Sequence, residues 1–310
     1  MYKLTVEKVG KYDIFCLSDE ESKFYVKFVP QKGATISDLR LNQKNIYDGY
    51  NNFQDLEALA WSRGILLAPF PNRLKEGRYS FEGKDYQFPI NDSGTGTALH
   101  GFISQLEFTL GELETKEESA NISCHTSYEG QFSYFPFPFS SKVRYSLNKN
   151  DFSFKFSVSN TGNGNMPIGL GWHPYFNLDD NVNDTLLKLP ELDIVEIDKN
   201  MIPTGQNTPF KAFETAAKID DFVLDNCFKL KQDTKVAKVV LEGKKGRLTY
   251  RQNTNIPYLQ VFTPPHRDSI ALEPMTCNVD AFNNGDGLRI LAPNETIVLE
   301  CKVSLENNIV

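Results

Sequence analysis

Asp151-Phe152-Ser153-Phe154-Lys155-Phe156-Ser157-Val158 alternates polar and apolar residues without a break. That is the period of two expected of a strand with one face in a core and the other in water. The same alternation recurs on both sides of it. Tyr79 and Phe81 alternate with polar residues, Glu82-Gly83 supplies a turn, and Tyr86 and Phe88 resume the pattern, which predicts a hairpin. Further on, Ala237, Val239 and Leu241 run into a glycine-containing turn at 243–246, and Leu248 and Tyr250 continue the alternation. Helical periodicity is confined to Phe53, Leu56, Leu59, Ala60 and Trp61, enough for roughly two turns. The chain has no internal period, so the expected fold is all-β, a large antiparallel β-sandwich of two twisted sheets rather than repeated blades.

The 310 residues are read as a single domain, 1–310, because turn clusters such as Asn160-Thr161-Gly162-Asn163-Gly164-Asn165 and Asn283-Asn284-Gly285-Asp286-Gly287 are too short and too local to be interdomain linkers. A formal net charge of −7 disfavours nucleic acid and anionic membrane surfaces as partners. The five cysteines are scattered and odd in number, without Cys-x-x-Cys spacing, which points to a reducing, cytoplasmic compartment. No apolar run approaches the ~18 residues of a spanning helix, and the first ten residues lack the apolar stretch of a signal peptide. Oligomeric state is left open.

Chemistry concentrates at two of the four histidines, Leu99-His100-Gly101-Phe102 and Gly171-Trp172-His173-Pro174-Tyr175-Phe176-Asn177, and at Leu272-Glu273-Pro274. A histidine and a sheltered glutamate form a near-neutral acid and base, suited to moving protons on a neutral polar substrate. Taken alone, each histidine is better read as a satisfied core residue, the commoner fate of a histidine in apolar company. Glu273 fits structure less well, since a strand-borne carboxylate between Leu272 and Pro274 costs desolvation unless something uses it. The aromatic run Tyr134-Phe135-Pro136-Phe137-Pro138-Phe139 is expected to pack against a sheet rather than line a site, and His125 and His266 are expected to be exposed.

Asn72-Arg73-Leu74, Gly77-Arg78-Tyr79 and Phe81-Glu82-Gly83 lead through Tyr86 and Asn91 to Leu99-His100-Gly101. His173-Pro174-Tyr175-Phe176-Asn177-Leu178, Asp225-Asn226-Cys227-Phe228, Leu259-Gln260-Val261-Phe262-Thr263 and Glu273-Pro274-Met275-Thr276 follow, then Asp280-Ala281-Phe282-Asn283. This order, over most of the chain, resembles the aldose 1-epimerase (galactose mutarotase) family. The resemblance implies that family's β-sandwich and interconversion of the α and β anomers of a free hexose such as glucose or galactose, with no cofactor and no metal. It implies Glu273 as the base at O1, His173 as the acid at O5 and His100 as a hydrogen-bonding partner near the ring oxygen. Arg73, Asp225 and Gln260 match positions that hold sugar hydroxyls. Phe102 stands where many relatives carry a second glycine, which is expected to narrow the space beside the sugar.

Four alternatives stay open. A zinc hydrolase would use the two histidines and the glutamate, although the spacing offers no close ligand pair. A glycosidase would pair Glu273 with Asp280. A hexose-6-phosphate mutarotase would need some of Arg40, Arg63, Arg78, Arg251, Arg267 and Arg289 as a phosphate fork. The last is a sugar-binding module without turnover.

Overall fold

The strand Asp151–Asn160 lies inside the largest sheet, paired antiparallel with Phe139–Asn148 on one side and Thr296–Glu306 on the other. Phe152, Phe154, Phe156 and Val158 are all buried, as the alternation predicts. The computed structural model describes residues 1–21, 23–231, 236–253 and 255–307. Among these, a 10-stranded sheet runs from Thr109–Leu110 through Ser119–Tyr128 and the strands just named to Gly246–Asn253, Val236–Gly243, Leu186–Lys188 and Ala217–Lys218, with Glu114–Thr115 also beside Ser119–Tyr128. Gly243 faces Gly246 across the turn that the sequence marks.

An 8-stranded sheet forms the second layer, with the order Pro203–Phe210, Leu192–Ile197, Asp225–Leu230, Tyr258–Phe262, Ile270–Met275, Gly171–Trp172, Leu66–Leu67 and with Tyr175–Phe176 beside Ile270–Met275. The two layers meet where the Trp172 indole contacts the Phe154 ring, centroids 4.4 Å apart at 62°. A 5-stranded sheet built from the first 45 residues packs beside them: Phe28 lies 4.7 Å from Tyr145 of the large sheet, and the Tyr145 hydroxyl donates to the Ala34 carbonyl. The fold is the expected antiparallel β-sandwich.

The Arg78–Phe81 and Lys84–Gln87 strands pair as the expected hairpin, turning at Glu82-Gly83. Among the described residues helix is confined to Phe53–Ala58, where the sequence shows its periodicity, a 3-10 turn Ala60–Ser62 that follows a left-handed break at Leu59, and three further 3-10 turns and Ala281–Asn284, which are too short to show any. The aromatic run 134–139 packs as expected. Phe135 and Phe139 are fully buried against Tyr128 and Phe102, which also turns Phe102 into this cluster and away from the space that it was expected to narrow. All five cysteines are free thiols, four of them buried.

Truncating the ring at the meeting of the two layers tests this architecture. Phe154→Ala is expected to cost about 3–5 kcal/mol, read as a lower urea midpoint with an unchanged slope.

Candidate active site

Strand alternation on the 8-stranded sheet sorts side chains between the core and the opposite face. Gln260 stands directly across from Glu273, Val261 from Leu272 and Leu259 from Pro274. Leu259, Val261 and Leu272 enter the core, so Gln260 and Glu273 point out of it. Asp225 pairs with Phe262, two positions along from the Cys227–Gln260 pair, and therefore shares that outer face. Trp172 points inward to Phe154, and His173, one residue later, points outward. The main chain of His173 is held by Ile65 and Gly64, whose carbonyl and N–H exchange hydrogen bonds with it at 3.1 and 2.8 Å.

The remaining wall comes from a two-stranded ribbon, Arg73–Lys75 against Thr97–Leu99. Asn72 and His100 flank it, both in the left-handed region at φ 58° and 66°. They grip each other: the His100 N–H donates to the Asn72 carbonyl at 2.8 Å, and the Asn72 N–H donates to His100 Nδ1 at 3.2 Å. An accepting Nδ1 puts the imidazole proton on Nε2, so neutral His100 offers a donor there. Burial, reinforced by His173 and Arg73, pushes the His100 imidazole well below its ordinary value and keeps it neutral. Gly101 makes this turn possible. Its φ is +66°, and a Cβ there would meet the Ala68 carbonyl oxygen at 2.2 Å.

The result is one cleft of about 240 Å³ lined by Arg73, His100, His173, Asp225, Gln260 and Glu273, together with Asn72, Leu99, Trp61, Ser62, Tyr175 and Phe262. That is below the ~300–1,000 Å³ of sites for drug-sized ligands and fits a single small molecule. The six sequence-selected residues thus converge from six separate segments. Gln260, which could equally have faced solvent, is buried; it accepts from Asn72 Nδ2 at 3.2 Å and donates to Asp225 Oδ1 at 2.8 Å. Arg73 reaches Asn72 Oδ1 with Nη1 at 3.2 Å and Asp92 Oδ2 with Nε at 3.4 Å. Asp220 and Asp221 are exposed and outside the cleft lining, so Asp225 is the aspartate of that segment that the cleft holds.

At the floor, His173 Nε2 lies 3.4 Å from Glu273 Oε1. Glu273 is 2% exposed, and its Oε2 has no hydrogen-bond partner among the described residues. Burial drives its carboxyl well above the ordinary carboxylate range, the charge of Asp225 adds to the rise, and Arg73 opposes it. Burial likewise pushes the His173 imidazole down, against a weaker upward pull from a poorly aligned approach to its own main chain. Both shifts disfavour charge. A pair holding one proton is neutral overall whichever partner carries it, so the pair keeps a single transferable proton over a wide pH range.

The sequence did not single out Trp61, Ser62, Tyr175 or Phe262 as site residues. Tyr175 stacks on His173 with centroids 5.0 Å apart at 17°, and its hydroxyl donates to the Trp61 carbonyl at 3.0 Å. His266, expected to be exposed, is partly buried instead, its ring edge-on to Trp61 at 5.6 Å; His125 is exposed as expected. Asp280 does not line the cleft: its Oδ1 accepts from the Lys75 N–H and from Asn283 Nδ2. No group of three or more His, Cys, Asp or Glu side chains in metal-binding geometry occurs among the described residues.

The aldose 1-epimerase family model matches residues 16–304. The uncharacterized protein YihR of Escherichia coli (strain K12) is 29% identical over 235 residues, 74% of each chain. Among solved structures, a galactose mutarotase-like protein from Clostridium acetobutylicum superposes with a TM-score of 0.89 at 21% identity, covering 99% of both chains. Galactose 1-epimerase from Lactobacillus acidophilus NCFM gives 0.83 at 17% identity, covering 99% of this chain and 98% of its own. The solved structures establish a shared fold.

The role of Gln260 in this wall is open to test. Gln260→Leu leaves Asn72 and Asp225 each short of a partner, and a loss of about 1–3 kcal/mol in stability is expected by denaturant titration.

Proposed function

The chain belongs to the aldose 1-epimerase family, and we propose that it interconverts the α and β anomers of a free hexose such as glucose or galactose by acid/base ring opening and closure. The observation that carries this is the buried His173–Glu273 couple, 3.4 Å apart, at the floor of a cleft whose remaining polar groups are suited to a neutral polyol. Glu273 carboxylate takes the proton of the C1 hydroxyl as His173 imidazolium donates its Nε2 proton to the ring oxygen. The C1–O5 bond breaks to give the open-chain aldehyde. After rotation about C1–C2 the steps reverse: O5 attacks C1, its proton returns to His173, and O1 takes the proton held by Glu273. No cofactor enters the balance. His100 Nε2–H supports the charge that develops near O5. Arg73, Asp225 and Gln260 fix the hydroxyls, with Asn72 bonded to Arg73 and Gln260 and Gln260 in turn to Asp225.

Several features favour a neutral sugar over a 6-phosphate. Among the described residues Arg73 is the one Lys or Arg in the cleft lining, and it is already paired with Asp92. Arg63 lies near the site but is held by Asp48 at 3.3 Å, so neither offers the free fork that a phosphate dianion requires. A Glu273–Asp280 glycosidase lacks support because Asp280 is engaged outside the cleft. The proposal takes residues 1–310 as one domain, supported by a core cluster that draws on all three large sheets. A cytoplasmic location is supported by the free cysteines, and no helix among the described residues is long and apolar enough to cross a membrane.

Polarimetry on freshly dissolved α-glucose and α-galactose tests the reaction. Glu273→Gln is expected to lose about 10²–10⁴-fold in rate while still binding sugar, and His173→Asn to lose at least ~10²-fold. If Glu273→Gln changes only affinity and no acceleration exists to be lost, the protein is a sugar-binding module.

The same couple sets the pH dependence. A second proton converts it to carboxylic acid plus imidazolium and removes the base; loss of its one proton removes the acid. The depressed imidazole moves the first limb to lower pH and the raised carboxyl moves the second to higher pH. A broad plateau across neutral pH is expected, and an acid limb at the ordinary histidine value of ~6.5 would contradict the shared-proton pair.

Stability should respond too. Because the folded Glu273 value lies above the unfolded one, its contribution is present at acid pH and lost as pH rises through the folded value. Glu273→Gln is therefore expected to unfold at a higher urea concentration than the wild type at neutral pH, with the gap closing toward acid.

A further inference from the structure

The catalytic couple and the hydroxyl-binding residues occupy one part of the cleft and leave an aromatic wall unassigned. Trp61, Tyr175 and Phe262 form it: the Tyr175 hydroxyl holds the Trp61 carbonyl at 3.0 Å, and the Tyr175 and Phe262 rings lie 6.4 Å apart at 79°. Tyr175 is fully buried and Phe262 half-buried against it. Trp61 lines the cleft yet remains 48% exposed. Its setting is deliberate in physical terms. Leu59, Trp61 and Ser62 all adopt left-handed backbone, at φ 48°, 59° and 55°, and this turn is held by main-chain atoms, with Ser62 N–H on Leu59 at 2.8 Å and Tyr175 on the Trp61 carbonyl. Among the described residues the indole has one aromatic neighbour, the edge-on ring of His266. The fold therefore fixes the backbone of Trp61 and leaves its side chain free to meet a ligand.

A pyranose is amphipathic, with hydroxyls around its rim and C–H groups on its faces. The cleft is amphipathic in the same sense. Asn72, Arg73, Asp225 and Gln260 make one connected polar wall, and Trp61 stands on the aromatic side, where an exposed ring gains from covering C–H surface.

We propose that Trp61 is a substrate-binding residue, its indole forming a platform against the C–H face of the sugar ring held over His173 and Glu273. This rests on the mutarotase assignment for its substrate class. The platform contributes to binding of ground state and transition state alike, so its removal raises KM and leaves kcat nearly unchanged.

The chain has two tryptophans, and Trp172 is fully buried against Phe154, so a change in tryptophan emission on sugar binding reports on Trp61. D-Galactose and D-glucose are titrated into wild type and into Glu273→Gln, with emission followed in parallel with the rate of anomer equilibration. A saturable emission change is expected, absent in Trp61→Phe. Trp61→Ala is expected to raise KM about tenfold, equivalent to about 1.4 kcal/mol, with kcat within about twofold, while Trp61→Phe keeps KM near wild type. Because main-chain atoms hold the turn, both variants should fold, and Trp61→Phe serves as the test if the alanine variant does not. Turnover of either sugar with unchanged emission and an unchanged KM in Trp61→Ala overturns the platform and leaves the mutarotase assignment standing. An emission response without any acceleration upholds the platform and overturns the mutarotase assignment.

Discussion

The contact of Trp172 with Phe154 is the constraint on which the site depends. It locks the face of the Gly171–Trp172 strand toward the core. By the period of two, His173 must then stand on the outer face, and the core positions of Leu259, Val261 and Leu272 send Gln260 and Glu273 to the same side. A one-residue slip in any of these strands would bury leucine in the cleft and an acid in the core. The hydrophobic energy of the sandwich thereby fixes the positions of its polar residues. The scaffold is rigid because the alternative registers are so costly.

The other half of the cleft is built by a different device. Asn72 and His100 are non-glycine residues in left-handed backbone, a state that costs on the order of 1–3 kcal/mol each unless its surroundings enforce it. Here the surroundings are each other, through two reciprocal hydrogen bonds, and Gly101, which alone can pass beneath the Ala68 carbonyl. The turn that carries Trp61 and Ser62 into the cleft lining also has left-handed residues, at Leu59, Trp61 and Ser62. Left-handed residues thus build part of the cleft wall, while Gln260 and Glu273 come from strands in plain register.

This division explains what the sequence disclosed. The sheets were legible because Phe152 to Val158, Tyr79 to Phe88 and Ala237 to Tyr250 alternate cleanly. Glu273 was legible because a carboxylate between Leu272 and Pro274 conflicts with its own surroundings. Arg73, His100, Asp225 and Gln260 emerged through motif order, since no local pattern shows that a ribbon and two strands far apart in the chain share one wall. Trp61 was hidden because the periodicity of Phe53, Leu56 and Leu59 reads as a helix continuing through it, whereas the helix ends at Ala58 and the chain turns left-handed at Leu59. His266 gave no signal because its burial comes from Trp61, across the fold. Phe102 misled because its neighbour His100 faces the cleft, yet the left-handed turn at Gly101 sends the next ring into the aromatic core.

Burying an acid and a base together looks wasteful until the proton is followed through the proposed reaction. Before ring opening the couple must be carboxylate and imidazolium, the form that a dry site favours least. After opening, Glu273 has gained a proton and His173 has lost one, so the couple is neutral while the sugar is an aldehyde. The raised carboxyl and the depressed imidazole both pull in that direction. The open-chain sugar, scarce in water, is thus matched with the charge state that the buried site prefers. Opening relieves the electrostatic cost that the closed ring must bear. Charging the couple from its neutral resting form is part of the barrier, so the groups around the sugar must hold the transition state more tightly than the closed ring for binding energy to accelerate the reaction.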